Sequence, residues 1–265
     1  MKDRGNRNST VTYKFNLQVF GWLLLASLLA CLASIPYLWD LFYRDSATPL
    51  SQILINKSLD FVLLTLPLAS LGLWLSPKVG LGAPEIEAIV NKVPKKYRRL
   101  QSSIMPAVVL GTVGGIFVQV VAILSQSYLP AELNQIELPS FLSSLLVSFS
   151  AGVNEEIWFR LGVMTCLVWL GSKLMRRSKP SKAIIWSANL LAALLFAAIH
   201  LPQAFVFAEE LPLFMVVFVL SLNSFVGVIF GWLYWRHGLL AAMIAHFSTD
   251  VIIHVLPAFV RIFLK

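Results

Sequence analysis

Residues 139–171 read PSFLSSLLVSFSAGVNEEIWFRLGVMTCLVWLG. The stretch is long enough to cross a bilayer, since about 20 apolar residues suffice. Yet it carries Glu155, Glu156 and Arg160 near its middle. An ionisable side chain at a helix centre costs about 2.5–3.5 kcal/mol on membrane insertion scales, so it must face a protein interior and find a partner there. The stretch therefore predicts a spanning helix packed inside a bundle, with a polar interior.

The rest of the chain agrees. Of 265 residues, 58% are hydrophobic and 13% charged, with a mean hydropathy of +0.77. Soluble domains carry roughly 45–50% apolar and about 25% charged residues, so lipid is the natural solvent. Further apolar runs fall at about 15–39, 58–76, 104–126, 183–206 and 212–235, and a last one begins near Gly238. Pro257 is placed to break that last run into an additional short helix. The expected fold is all-α: a polytopic transmembrane helical bundle of seven to eight spans. The run from Leu17 to Trp39 is too long for a cleavable signal segment, whose apolar region spans roughly 7–15 residues. It reads as the first spanning helix.

A net charge of +8 would suit a nucleic-acid binder, but the charges are distributed otherwise. Sixteen of the 21 Lys and Arg residues lie in Lys2–Lys14, Lys78–Arg99, Lys173–Lys182 and at Arg236, while Glu132, Glu137, Glu209 and Glu210 mark the alternate connections. Alternation of this kind marks cytoplasmic loops by their positive charge. It places the N-terminus in the cytoplasm and excludes a nucleic-acid partner. Three regions follow: a cytoplasmic tail at 1–14, N-terminal transmembrane helices with a basic loop at 15–135, and a membrane core at 136–265. The two cysteines, Cys31 and Cys166, lie in apolar runs with no second Cys or His at metal-ligand spacing. They read as buried small hydrophobes.

Three short motifs carry the chemistry. Glu156 and Arg160 stand four apart on one helical face, with the acid toward the N-terminus, the favourable order for an ion pair. Glu155 points about 100° away, which leaves one carboxylate to face a cavity and act as a general base. The second motif is Phe196-x-x-x-His200, followed by Pro202 as a kink or helix end. Glu155 and His200 each lie about 17 residues from the basic loop 172–182, so in an antiparallel hairpin both sit roughly 25 Å from it, at one depth. The third is His246-x-x-x-Asp250, where the carboxylate can receive the imidazole N–H and fix its tautomer. His254, one turn on and close to Pro257, is expected to lie off the site. The helix before the third motif presents Gly227-x-x-x-Gly231, a small-residue face for close helix approach. Glu155 and His200 belong at one depth with His246 only if the backbone departs from a straight helix, and Gly152-Val-Asn154 is where a break is expected.

Glu155-Glu156-x-x-x-Arg160, Phe196-x-x-x-His200 and His246-x-x-x-Asp250, in that order, resemble the CPBP family of intramembrane glutamic endopeptidases. That family includes type II CAAX prenyl proteases and bacteriocin-immunity-type homologues. The resemblance covers roughly residues 140–255; residues 1–135 are similar only in being hydrophobic helices. It implies a peptidase in which Glu155 and His200 activate a water, His246 and Asp250 stabilise the oxyanion, and Glu156 and Arg160 organise the site. Many members have Asn where Asp250 stands. An ionised carboxylate cannot donate a hydrogen bond, so either Asp250 is protonated or, the favoured expectation, it orients and charges His246 while His246 alone donates.

The implied substrate is a peptide or membrane protein cleaved near the bilayer, with or without a prenyl group, and no cofactor is expected. A zinc-dependent reading would take Glu155, His200 and His246 as ligands. Against it stand the missing HExxH and the cation Arg160 beside the acidic pair. Two functions without hydrolysis compete with these: an inactive scaffold or maturation factor of the same fold, and a proton-coupled transporter, for which no inverted repeat is present. The compact basic N-terminus points to the plasma membrane of a prokaryote. Nothing in the sequence sets the oligomeric state.

Overall fold

The computed structural model describes residues 16–43, 49–92, 94–130, 137–202 and 212–263. The tail at 1–14 and the acidic residues Glu132, Glu209 and Glu210 lie outside them. Six helices are long and apolar enough to cross a membrane: α1 (Leu17–Tyr43), α2 (Leu50–Val79), α4 (within Pro94–Leu124), α5 (Phe141–Leu174), α7 (Leu213–His237) and α8 (Leu239–Ile262). The apolar helix α6 (Lys182–Ala198) has 17 residues, at the lower end of what a bilayer needs. With it the described residues hold seven apolar helices placed to span. A short helix, α3 (Pro84–Val90), lies between α2 and α4.

Polar residues sit where soluble proteins keep apolar ones. Glu156, Arg160, Asn154, Asn189 and His246 are buried, whereas Leu29, Leu63, Val113, Ile123, Leu190 and Leu194 are exposed. This inside-out distribution defines an integral membrane bundle, because lipid solvates Leu and Val but not a carboxylate. Capping starts several helices. The side chains of Asn16, Ser140 and Ser181 accept the N–H of Val19, Ser143 and Ile184.

Small residues bring the helices together. A Cβ added at Gly111 would strike the carbonyl of Ala245, and one at Gly115 would meet Thr249 and Ile252. The Thr249 hydroxyl uses this close approach to donate to the Gly111 carbonyl at 2.8 Å. Gly231 of the predicted small-residue face packs on the side chain of Asn189, whose amide donates to Val228 O at 3.1 Å. Such contacts, rather than hydrophobic burial, associate helices in lipid.

Several boundaries differ from those expected of the sequence. Helix α2 begins at Leu50 rather than near 58, its polar first turns carrying a Lys57–Asp60 ion pair of 2.6 Å. The basic connection is not a loop throughout, since it holds α3 and the first turns of α4. Helix α6 ends at Ala198, ahead of Pro202, and His200 stands in the turn that follows. No break occurs at Gly152–Asn154. The irregularity comes just after, as a π-helical stretch from Ile157 to Met164.

Pro257 does not end α8 either. The helix widens to a π-turn at Val251–Val255 and continues past the proline. Proline cannot donate to the carbonyl a turn before it. The side-chain amide of Gln119 on α4 supplies the missing hydrogen bonds, to Ile253 O at 2.9 Å and Ile252 O at 3.2 Å.

Candidate active site

Helix α5 turns Glu155 and Glu156 into different surroundings. Glu156 is fully buried. Its Oε2 lies 3.2 Å from Arg160 Nε, one turn on, and its Oε1 is 2.8 Å from Nδ1 of His246. The expected Glu156–Arg160 pair is therefore present, and it is also tied to the third motif. Arg160 extends the tie by donating from Nη2 to Gly227 O on α7 at 2.9 Å. Its guanidinium lies 4.7 Å over the Phe196 ring and 5.3 Å from Phe230, contacts that suit a cation removed from water.

His246 is fixed from three sides. Its ring stacks on Phe230 at 4.7 Å and meets Phe196 edge-on at 5.7 Å. A carboxylate can only accept, so the hydrogen bond to Glu156 assigns a proton to Nδ1. That arrangement gives Glu156, not Asp250, the hydrogen bond expected between Asp250 and the imidazole. The Asp250 Oδ2 is 3.7 Å from Nε2 of His246, beyond hydrogen-bond length. The i, i+4 spacing brings Asp250 beside the ring, but Glu156 is the carboxylate that holds it.

The free face of His246 looks toward Glu155, whose Oε2 stands 3.9 Å from Nε2. Glu155 keeps a side-chain exposure of 20%, against none for Glu156. Its Oε2 is itself buried and makes no hydrogen bond within the protein. His200 donates from Nδ1 to the carbonyl of Phe196 at 2.8 Å and packs edge-on against the Phe196 ring. Since a carbonyl only accepts, the proton is on Nδ1, and in the neutral ring Nε2 keeps its lone pair.

Glu155, His200, His246 and Asp250 line one cavity of about 380 Å³. Glu155 and His200, expected at one depth, thus share one space. The cavity has further polar lining that sequence reasoning missed: Tyr37, Asn223, Thr249 and also His254, which its place next to Pro257 had put off the site. The rings of His254 and Tyr37 meet edge-on at 5.9 Å. The π-turn at Val251–Val255 contains His254, and no sequence rule anticipates its rotation toward the cavity. A second cavity, of about 600 Å³, lies between the outer faces of α4 and α8. It is apolar apart from Gln119 and Arg261 and holds none of the motif residues.

Beneath the site a buried network binds α1 and α2 to α5. The Ser27 hydroxyl donates to Asn154 Oδ1 at 2.5 Å and meets Thr65 Oγ1 at 3.1 Å, and Trp158 Nε1 donates to Thr65 at 2.8 Å. Asn154 and Trp158 flank the acidic pair and hold its stretch of helix in rotation.

Residues 137–252 match the family model described as type II CAAX prenyl endopeptidase, Rce1-like. This stretch, a little under half of the chain, is similar to an Rce1-like domain. It spans α5, α6, α7 and most of α8, and it contains all six motif residues in the order that the CPBP resemblance requires. The domain is that of a CAAX-protease-like endopeptidase, set in an integral membrane bundle. Its cavity is completed from outside it, by Tyr37, Leu41 and Phe42 of α1 and by Val118 and Ala122 of α4. Comparison with curated proteins and with solved structures gives no significant match.

Proposed function

We propose that the protein hydrolyses a peptide bond within or beside the membrane, using a water held between Glu155 and His200. The observation that carries this reading is the unbonded Oε2 of Glu155, 3.9 Å from His246 Nε2 in a cavity that His200 also lines. A general base must reach the proton it removes, directly or through one water. Glu155 accepts a proton from the water as its oxygen attacks the carbonyl carbon. His200 Nε2, the free nitrogen of its ring, orients the same water. The tetrahedral intermediate then breaks its C–N bond, and the proton held by Glu155 passes to the leaving amine.

His246 is the donor to the oxyanion. Its Nδ1 is committed to Glu156, so the donation comes from Nε2 and requires the imidazolium. Glu156, Glu155 and Asp250 surround that ring within 4 Å and supply the countercharge. Arg160 and Glu156 are positioning residues. A preorganised donor of this type is worth about 10²–10³ in rate.

A zinc-dependent mechanism would take Glu155, His200 and His246 as ligands. Among the described residues no three His, Cys, Asp or Glu side chains are grouped to hold a metal ion, and Arg160 adds a positive charge next to the acidic pair. We assign the chemistry to the side chains alone, in the plasma membrane of a prokaryote and without a cofactor. Cleavage of an internally quenched apolar peptide by the purified protein tests the proposal. Glu155→Gln is expected to lose about 10²–10⁴-fold in rate. Exhaustive chelation is expected to leave the wild type unchanged, and loss with rescue by Zn²⁺ would install the metal mechanism. Cleavage no faster than the uncatalysed rate by both wild type and Glu155→Gln would mark an inactive scaffold.

A further inference from the structure

The cavity is one-sided. From α1 it takes Tyr37, Leu38, Leu41 and Phe42, all within the last seven residues of that helix. From α4 it takes Val118 and Ala122, next to the C-terminal end at Leu124. His200 lies just past the end of α6, and Phe218 and Val219 lie near the start of α7. On α5 the lining residues are Val147, Ala151 and Glu155, in the half nearer Phe141. The motif residues His246 and Glu155, with Phe230, form its inner end. Helices α1, α4, α5 and α6 thus contribute from the side on which α1, α4 and α6 finish and α5 and α7 begin, and α7 and α8 line the cavity from that side to their middles.

The charges of the chain name that side. The opposite face receives Lys92 from one connection and Lys173, Arg176, Arg177, Lys179 and Lys182 from another, with Arg236; by sequence the first of these connections also carries Lys95, Lys96, Arg98 and Arg99. On the cavity's side Glu137 precedes α5 and Arg261 stands in the last turn of α8; by sequence the connections between these spans also carry Glu132, Glu209 and Glu210, and Arg44 next to Asp45. Connections rich in Lys and Arg remain in the cytoplasm.

We infer that the active-site cavity opens on the extracytoplasmic side, and that its substrate is an uncharged, apolar polypeptide segment presented on that side of the membrane. Between mouth and motif residues the wall is Leu38, Leu41, Phe42, Phe218, Val219 and Leu222, relieved by Tyr37, Asn223 and His254. A charged side chain would lose its hydration against this wall. An acidic one would also meet Glu155 and Asp250. The substrate class rests on the endopeptidase reading, whereas the sidedness stands on geometry and charge alone.

Cysteine accessibility separates the two. In a chain lacking Cys31 and Cys166, Val219→Cys reports the cavity, with Leu41→Cys as a second reporter should the first fail to accumulate. Lys179→Cys, exposed in the basic connection, reports the other face. A membrane-impermeant maleimide is expected to modify the cavity cysteine in right-side-out vesicles and not in inverted ones, with Lys179→Cys behaving oppositely. Modification of both cysteines in the same vesicles, or of the cavity cysteine in neither, overturns the sidedness. Labelling needs no catalysis, so a Glu155→Gln chain must give the same pattern; if the wild type labels in that pattern and yet cuts no peptide, the endopeptidase reading fails and the sidedness stands. Right-side-out vesicles are also expected to cleave an added apolar peptide and to lose that cleavage when Asp flanks the scissile bond. Equal cleavage of both peptides overturns the substrate class.

Discussion

Glu155 and Glu156 are chain neighbours with separate physical tasks. Glu156 neutralises a buried guanidinium and orients a buried imidazole, so its removal strands both. Glu156→Ala is expected to destabilise the protein by about 3–5 kcal/mol, the cost of leaving a buried charge without its partner. Denaturant unfolding in detergent micelles measures this, and no loss would mean that Arg160 finds another acceptor. Glu155 has no such structural task, because its Oε2 bonds to nothing in the protein. Glu155→Gln leaves the Glu156 bonds to His246 and Arg160 in place and removes one of three carboxylates around the imidazole, so it is expected to cost clearly less stability than Glu156→Ala while it removes cleavage. The Glu156–Arg160 pair was legible from spacing, since four residues on a helix are neighbours. The bond from Glu156 to His246 joins residues 90 positions apart. No local rule reaches so far, and Asp250 consequently looked like the orienting acid.

At the scale of the helix, Pro257 and Gln119 form a compensating pair. The proline removes a donor inside α8, and an amide from α4 satisfies the carbonyls it leaves. Gln119→Leu is expected to cost about 1–3 kcal/mol, the desolvation penalty of unsatisfied buried acceptors. Combined with Pro257→Ala, which restores a backbone N–H, the same substitution is expected to cost clearly less. Thermal unfolding of the four variants in one detergent gives the cycle, and strict additivity would show that the two residues act independently. The close contact of α4 with α8 is open to a similar test. A Cβ at Gly111 would strike the backbone of Ala245, next to His246. Gly111→Val is therefore expected to push α8 away and lose activity, with a cost typical of overpacking, about 1–3 kcal/mol. Wild-type cleavage by this variant would show that α8 can shift without disturbing the site.

For the whole molecule, parity is the testable quantity. Seven spans place the two ends of the chain on opposite sides of the membrane, whereas an eighth span beyond Pro257 would have returned the C-terminus to the side of the N-terminus. A reporter that fluoresces only in the cytoplasm is expected to light at the N-terminus and stay dark after Lys265, and a periplasmic phosphatase to show the reverse. Signals from both ends on one side would require an even number of spans. The same parity puts Arg261 outside, against the general trend of charge, and there its guanidinium donates to the carbonyl of Leu138 at 3.1 Å.

Composition and periodicity determined the solvent, the approximate spans, the location of three polar motifs and one ion pair, because each of these is settled within about twenty residues of chain. Only the tertiary structure decided that Glu156 rather than Asp250 grips His246, that Gln119 carries α8 past Pro257, and that Tyr37 and His254 join the cavity. These depend on how α1, α4, α5 and α8 rotate against one another. In lipid that rotation is set by small-residue contacts and interhelical hydrogen bonds between distant residues, which leave no periodic trace in any one helix.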